Sequence, residues 1–210
     1  MKHLIIAGVP RSGKSTLARR VAQSFGWQHI SMDAVIAGFE RCFPQTGVDT
    51  GIAVNAGKPS AEILRIISGK MAPFLEVMTS QEEYDQKNGP MVIDMYQLLP
   101  EDYTQFLNPA VCDIFYLLTA DVTPQERFDI QKKYDTPEDY SYCLSDEERM
   151  EGCEYLVEQS RMIRDQCQKL GLPYYETSLQ REKVFDEILQ TLTAQRMCYE
   201  DAEGERSSDP

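Results

Sequence analysis

Five short apolar runs punctuate this chain, and the polar stretches between them carry apolar residues at helical spacing. The first run, His3-Leu4-Ile5-Ile6-Ala7, has almost no polar interruption, the pattern of a strand covered on both faces. Trp27-Gln28-His29-Ile30-Ser31 predicts a second strand, and Met91-Val92-Ile93-Asp94-Met95 a third, entered through the turn Asn88-Gly89-Pro90. Cys112-Asp113-Ile114-Phe115-Tyr116-Leu117-Leu118 predicts a fourth, and Pro173-Tyr174-Tyr175-Glu176-Thr177 a fifth. Helix stops at Phe25-Gly26 and Lys169-Leu170-Gly171 precede the second and fifth strands. A closing helix over 181–196 puts Val184, Phe185, Ile188, Leu189 and Leu192 on one face. Buried strands spaced by helices predict an α/β fold, a parallel five-stranded sheet with helices on both sides. No internal repeat or low-complexity linker breaks this plan. Two intervals, 33–88 and 120–171, are too long for simple crossovers, and insertions after strand ends are where ligand-binding and lid elements sit.

Composition narrows the partners. A chain of 210 residues supports one substantial core, read here as a single domain over 1–198. The formal charge of −13 argues against nucleic acid as the main partner, because binding to its backbone needs a basic surface. Residues 199–210 read as a disordered acidic tail with nothing to bury. The six cysteines (Cys42, Cys112, Cys143, Cys153, Cys167, Cys198) form no C-x-x-C pair, and with only His3 and His29 available a structural zinc site is not expected. Scattered thiols fit a reducing compartment, no run reaches membrane-spanning length, and the N-terminal run is too short for a signal-peptide core. The expectation is a soluble, cytoplasmic protein. Its oligomeric state is not legible.

One motif carries chemistry. Gly8-Val9-Pro10-Arg11-Ser12-Gly13-Lys14-Ser15 has the form G-x-x-x-x-G-K-[ST] and lies between the first strand and the helical segment Thr16-Leu17-Ala18-Arg19-Arg20-Val21-Ala22. In that context glycines bend the backbone so that N–H groups and a helix start face a triphosphate. Residues 8 through Thr16 are therefore candidates for holding ATP. Lys14 would reach its β- and γ-phosphates, and the Ser15 hydroxyl would ligate Mg²⁺.

With this loop, a five-strand plan and two insertions (34–88 and about 121–160), the chain resembles the P-loop small-molecule kinases related to nucleoside-monophosphate kinases. That superfamily includes adenylate kinases, shikimate kinases, chloramphenicol phosphotransferases and zeta-toxin kinases. The resemblance covers residues 1 to about 195, although only the loop is a specific motif. It implies a three-layer α/β/α P-loop NTPase fold, the first insertion binding the acceptor and the second forming a lid.

Asp33 follows the second strand, where the resembled hydroxyl kinases hold a carboxylate against the acceptor alcohol. A carboxylate there orients the hydroxyl and takes its proton, though Asp33 would equally serve as a helix cap. Asp94, ending the third strand, resembles the acidic residue that holds Mg²⁺ in this superfamily; capping the next turn or facing the acceptor stays open. In the lid interval, Arg127 occupies the position of the adenine-stacking residue. Arg161 and Arg164 match the post-lid arginines loosely, while Lys132 and Lys133 read as solvated cations, and each of these residues would otherwise pair with Glu126, Glu158 or Asp165. The lid is less dense in arginine than in adenylate kinases. Its acidic, aromatic run (Glu138-Asp139-Tyr140-Ser141-Tyr142, then Asp146-Glu147-Glu148) is either a solvated face or a surface for a cationic acceptor.

In the first insertion Arg41 and Arg65 are the main cations, with Lys58 and Lys70 nearby and Phe39, Phe43 and Phe74 as walls or core. Gly47, Gly51 and Gly57 suggest a loop able to close over a ligand. Thr177-Ser178 falls where the resembled family lines adenine. The expectation is an ATP-dependent kinase of a small-molecule hydroxyl with Lys14, Asp33, Arg127 and Arg161 catalytic, Ser15 and Asp94 on the metal, and Asp33, Arg41 and Arg65 on the acceptor. A nucleoside or nucleoside-monophosphate kinase is the first alternative, and a nucleotide-gated binding protein with incidental hydrolysis the second.

Overall fold

The computed structural model describes residues 2–48, 60–80, 89–137 and 139–206, with side chains described to 197 except that of Tyr140. Gly51, Gly57, Lys58, Asn88, Glu138 and residues 207–210 lie outside the described residues, as does the side chain of Cys198. In chain order the elements are β1 (His3–Gly8), α1 (Lys14–Phe25), β2 (Gln28–Ser31), α2 (Met32–Cys42), α3 (Ser60–Thr79), β3 (Met91–Asp94), α4 (Pro100–Phe106), β4 (Cys112–Leu118), α5 (Pro124–Tyr134), α6 (Asp146–Leu170), β5 (Tyr174–Glu176) and α7 (Arg181–Arg206). All five expected strands form, in an all-parallel sheet of order β2-β3-β1-β4-β5.

Strand alternation sorts the sheet into two cores. Ile5 and Ala7 of β1 join Tyr116 and Leu118 of β4 on one face, beneath Leu64, Ile67 and Met71 of α3, Tyr103 of α4, and Leu156 and Ile163 of α6. Leu4 and Ile6, with Phe115 and Leu117, form the other face, covered by Leu17 and Val21 of α1 and Phe185 and Ile188 of α7. The result is three layers, as expected. Because chain order reverses direction around β1, the loops following β1, β2 and β3 open together at one sheet edge, where α/β sheets bind ligands.

Local signals set the helix ends. Gly26 and Gly171 adopt left-handed φ of 71° and 68° and stop α1 and α6. In the second insertion, capping boxes Thr123/Glu126 and Ser145/Glu148 start α5 and α6 around a 3₁₀ turn, Tyr140–Cys143. Backbone N–H groups of Thr123 and Ser145 hold the Glu126 and Glu148 carboxyls below the usual range. Glu126 is thus a capping residue rather than an ion-pair partner.

The acidic C-terminus departs from expectation. Instead of ending near Arg196, α7 runs to Arg206, so residues 199–206 continue a helix rather than starting a disordered tail. Strong helix formers such as Met197, Glu200, Ala202 and Glu203 carry it on, with no proline before the final residue. Among the described residues no helix is long and apolar enough to cross a membrane.

Phe185 is fully buried, and its ring lies beneath Gly13, so it joins α7 to the loop after β1. Phe185→Ala is expected to cost about 3–5 kcal/mol of stability, read as a lowered urea midpoint at unchanged m-value.

Candidate active-site cleft

The loop between β1 and α1 turns on two glycines whose side-chain position is forbidden. Gly8 has φ +120°, and a Cβ there would sit 2.1 Å from the Leu117 carbonyl oxygen of β4. Gly13 has φ +95°, and its Cβ would meet Phe185 at 2.6 Å. Between them Arg11 also adopts a left-handed φ of 63°, a conformation that non-glycine residues reach only when their surroundings impose it.

Those surroundings are side-chain donors aimed at the loop's carbonyls. Ser12 Oγ and Lys14 Nζ donate to Val9 O at 2.8 and 2.7 Å. Arg127 donates to Pro10 O at 2.6 Å, Arg181 to Arg11 O at 3.1 Å, and Thr177 Oγ1 to Ser12 O at 2.9 Å. A trans peptide directs its C=O and the following N–H oppositely, so drawing the carbonyls inward turns N–H groups outward. Apart from the Ser12 N–H, which donates to Val9 O at 3.4 Å, this is the geometry of an anion cradle.

A cleft of about 390 Å³ opens on this cradle, lined by Gly13, Lys14, Ser15, Thr16, Arg19, Asp33, Tyr96, Gln97 and Asp139 among others. Lys14 is buried there. Burial pushes its ammonium pKa down to about 8 and Arg127 adds to that, while Asp33 and Asp94 act in opposition. Asp33 lies in the first turn of α2, beyond the cap position held by Ser31, so its alternative as an N-cap does not apply. The packing around the Asp33 carboxyl raises its pKa, with Asp94 reinforcing and Lys14 opposing that shift.

Behind the cradle, β3 ends at Asp94, which is only 2% exposed. Its Oδ2 accepts the Ser15 hydroxyl at 2.5 Å, and its Oδ1 meets His29 Nε2 of β2 at 2.6 Å. The β2–β3 register pairs His29 with Val92 and Ser31 with Asp94. Ser15 and Asp94, far apart in sequence, thus meet as the metal expectation requires. Two hard oxygen donors beside a phosphate cradle fit Mg²⁺, which takes few protein ligands and completes its shell with phosphate and water. Among the described residues no cluster of three or more His, Cys, Asp or Glu exists to hold a metal without phosphate.

The lid touches the same loop. Arg11 donates to Asp139 and, at 2.6 Å, to Asp135, whose other oxygen receives Arg149 of α6 and, at 2.7 Å, Ser141. Asp135 and Arg149 are almost fully buried, so this network joins the β1–α1 loop to the segment after α5 and to the start of α6. Asp139 comes from the acidic run, of which at least this residue is no solvated charge.

Other expected site residues lie elsewhere. Arg127 is 5% exposed, bound to Thr119 Oγ1 and to the Pro10 carbonyl of the loop, and it lines a small cavity with Arg11, Tyr134, Ser178 and Arg181. Thr177, fully buried, bonds Ser12 O and Leu118 O rather than lining an open base site. Arg161 binds the carbonyls of Ala120 and Val122, which fixes the β4–α5 connection, and it is not among the residues lining the cleft. Arg164 pairs with Asp121 and Asp165, and Lys132 with Asp146, as solvated cations. Arg41 and Arg65 are exposed and do not line the cleft, since the α2 and α3 positions they occupy face outward. Lys70 donates to Thr46 O at 2.5 Å.

Residues that the sequence reading passed over include His29, Arg19, Tyr96, Gln97, Asp135 and Glu176. Tyr96 and Gln97 directly follow the strand-end aspartate, a positional signal that pointed to them. Glu176 ends β5 and receives the N–H groups of Ala120, at 2.7 Å, and of Ser178, at 3.0 Å, tying two loops beside the cradle.

No family model and no curated protein matches the chain. Among solved structures, a shikimate kinase from Bacteroides thetaiotaomicron is similar with a TM-score of 0.53 and 16% identity, over 93% of this chain and 98% of that one. A gluconokinase from Sinorhizobium meliloti 1021 gives 0.49 and 14% over 95% and 97%, and a dephospho-CoA kinase from Campylobacter jejuni 0.47 and 14% over 92% and 96%. All three of these neighbours are kinases. At such identities the likeness is one of fold, the α/β architecture of the first neighbour.

Two outcomes follow from this geometry. Gly8→Ala is expected to cost at least ~1–3 kcal/mol and to abolish nucleotide binding, because the added methyl displaces β4 or the loop; urea unfolding and titration with a fluorescent ATP analogue read both. Nucleotide affinity is also expected to fall as pH rises through about 8, where Lys14 loses its proton and with it the charge that phosphate needs. An affinity that is flat from about pH 7 to about pH 9 would contradict the Lys14 assignment.

Proposed function

We propose that this protein is a phosphotransferase that moves the γ-phosphoryl group of Mg²⁺-ATP to a hydroxyl of a small molecule. The observation that carries this reading is the shared cleft: Gly13, Lys14, Ser15 and Thr16 of the glycine loop and α1 line one space with Asp33, and Asp94 is bonded to Ser15 behind that lining. A cradle alone fits any nucleotide-binding protein. A carboxyl across from it, backed by no acceptor-side arginine among the described residues, fits an alcohol acceptor.

The backbone N–H groups of residues 9, 11 and 13–15, with Lys14, hold the triphosphate, while the Ser12 N–H donates to the Val9 carbonyl at 3.4 Å. Lys14 exchanges the Val9 carbonyl for phosphate oxygens, a change that its buried, flexible stem permits. Ser15 and Asp94 would hold Mg²⁺, which when bound neutralises charge on the phosphate oxygens. His29 fixes the far oxygen of Asp94 and so orients the near one. Asp33 accepts the proton of the attacking hydroxyl. As that oxygen bonds to the γ-phosphorus, the bond from phosphorus to the β,γ-bridging oxygen breaks, leaving ADP and a phosphorylated alcohol.

In this proposal residues 1–198 act as one unit, with the acceptor insertion over 34–88 and the lid over 121–160 excluding water on closure. A reducing, cytoplasmic setting supplies ATP and Mg²⁺ and suits the free cysteines. The nucleotide-acceptor alternative has less support, because Arg41 and Arg65, its expected clamp, do not line the cleft.

The deciding experiment compares ADP release from Mg²⁺-ATP with nucleoside monophosphates and with hydroxylated small molecules. Stimulation by the hydroxylated pool alone is expected; stimulation by monophosphates alone would make the protein a nucleotide kinase. With the acceptor so found, Asp33→Asn is expected to lower kcat by about 10²–10⁴-fold at unchanged ATP affinity. The acid limb of kcat in the wild type is expected above the ordinary aspartate range, since Asp33 must be ionised to act and its pKa is raised. His29→Ala is expected to weaken Mg²⁺ binding to the ADP-loaded protein by about 10–100-fold, measured by calorimetry, while metal-free ADP binding stays unchanged.

A further inference from the structure

The two sides of the cleft differ in charge and in hydrogen-bonding character. Among the described residues, every cation lining it, Arg11, Lys14 and Arg19, belongs to the β1–α1 loop or to α1, the segment that receives phosphate on the reading above. Arg11 is already engaged by Asp135 and Asp139, and Arg19 turns its Nε back to the Ser15 carbonyl at 3.1 Å.

The opposite wall is built from β2–α2 and β3–α4, and among the described residues it contributes Asp33, Tyr96 and Gln97. Asp33 accepts hydrogen bonds when ionised. The Oε1 of Gln97 is buried with no hydrogen-bond partner, an acceptor group lacking its donor. Tyr96 shares its hydroxyl with that of Tyr155 at 3.0 Å. Asp94 stands near Asp33 as a second carboxyl, and Lys14 faces both from the loop side. No described arginine or lysine from α2, α3 or α4 lines the cleft.

A carboxylate or phosphate group on the acceptor would therefore bring like charge against Asp33 and the nucleotide, with no cation from the described residues on its own side. Hydroxyl or ammonium groups would supply the donors this wall lacks. On the kinase reading above, we infer that the acceptor is a polyhydroxylated compound that is uncharged or carries ammonium groups. Acidic sugars and phosphorylated alcohols are disfavoured. The transfer itself is unchanged: the acceptor oxygen bonds to phosphorus, its proton passes to Asp33, and ADP leaves.

The test uses the full chain with saturating Mg²⁺-ATP and three sets of probes: glucosamine and kanamycin, sorbitol and inositol, gluconate and glycerol phosphate. ADP release and phosphorylated product are quantified for each set. The expected result is a kcat/KM at least on the order of tenfold higher for the best uncharged or aminated probe than for the best acidic one. An acidic probe as the best acceptor overturns this inference and leaves the kinase reading standing. ATP hydrolysis that no probe stimulates overturns both.

Gln97→Glu gives an independent check, because it adds charge to the acceptor wall alone. It is expected to shift the ratio of kcat/KM for aminated over uncharged probes upward by several-fold, at unchanged KM for ATP. A ratio that does not move removes Gln97 from the acceptor site and overturns the assignment of this wall.

Discussion

The carbonyl oxygens of one short loop must point into the protein, and most of the site's construction serves that constraint. A loop whose carbonyls faced the cleft would repel phosphate. Here Val9, Pro10, Arg11 and Ser12 each give their carbonyl to a side chain from elsewhere: Ser12 and Lys14 within the loop, Arg127 from α5, Thr177 after β5, and Arg181 from α7. The donors come from three elements distant in sequence, so the cradle exists only once the sheet and both flanking layers are assembled. The left-handed backbone of Arg11 and the glycines at 8 and 13 are the local consequence.

A second coupling runs across the sheet. Asp94 of β3 receives Ser15 from α1 through one oxygen and meets His29 from β2 through the other, so two adjacent strands and the first helix converge on a single carboxylate. Since β2 continues into the turn that carries Asp33, the same hydrogen bonds fix the acceptor-side carboxyl relative to the cradle. Rigid strands hold the groups that must keep their distance from phosphate. The lid, by contrast, is attached through charge: Arg11 is held by Asp135 and Asp139, and Asp135 is shared with Arg149.

The charge distribution then has a simple logic. The net charge of −13 leaves a surface that repels polyanions, while the cations that line the cleft are gathered on the phosphate-binding loop and α1. Several arginines that a phosphate-transfer site might employ are instead committed to backbone carbonyls, as Arg161 is to Ala120 and Val122. Their role is to hold the ends of strands in register, which is where the cleft takes its shape.

By itself the sequence determined the strands, the three layers and the loop, because each of these depends on local periodicity or on a contiguous motif. The runs at 3–7 and 112–118 could only be buried on both faces, and a glycine-rich turn between such a strand and a helix has few other structures to adopt. It also placed Asp33 and Asp94 at strand ends, since the end of a strand is a local property. The tertiary structure decided which residues meet. That His29 holds Asp94, that Arg127 and Thr177 lie under the loop, that Arg41 and Arg65 face away, and that Asp135 and Asp139 grip Arg11 all depend on strand order and on side-chain direction. Neither is encoded in spacing along the chain. The helix beyond Arg196 was missed for a related reason: acidic composition signals exposure, and an exposed segment rich in Glu, Ala and Met still forms a helix when a packed helix precedes it.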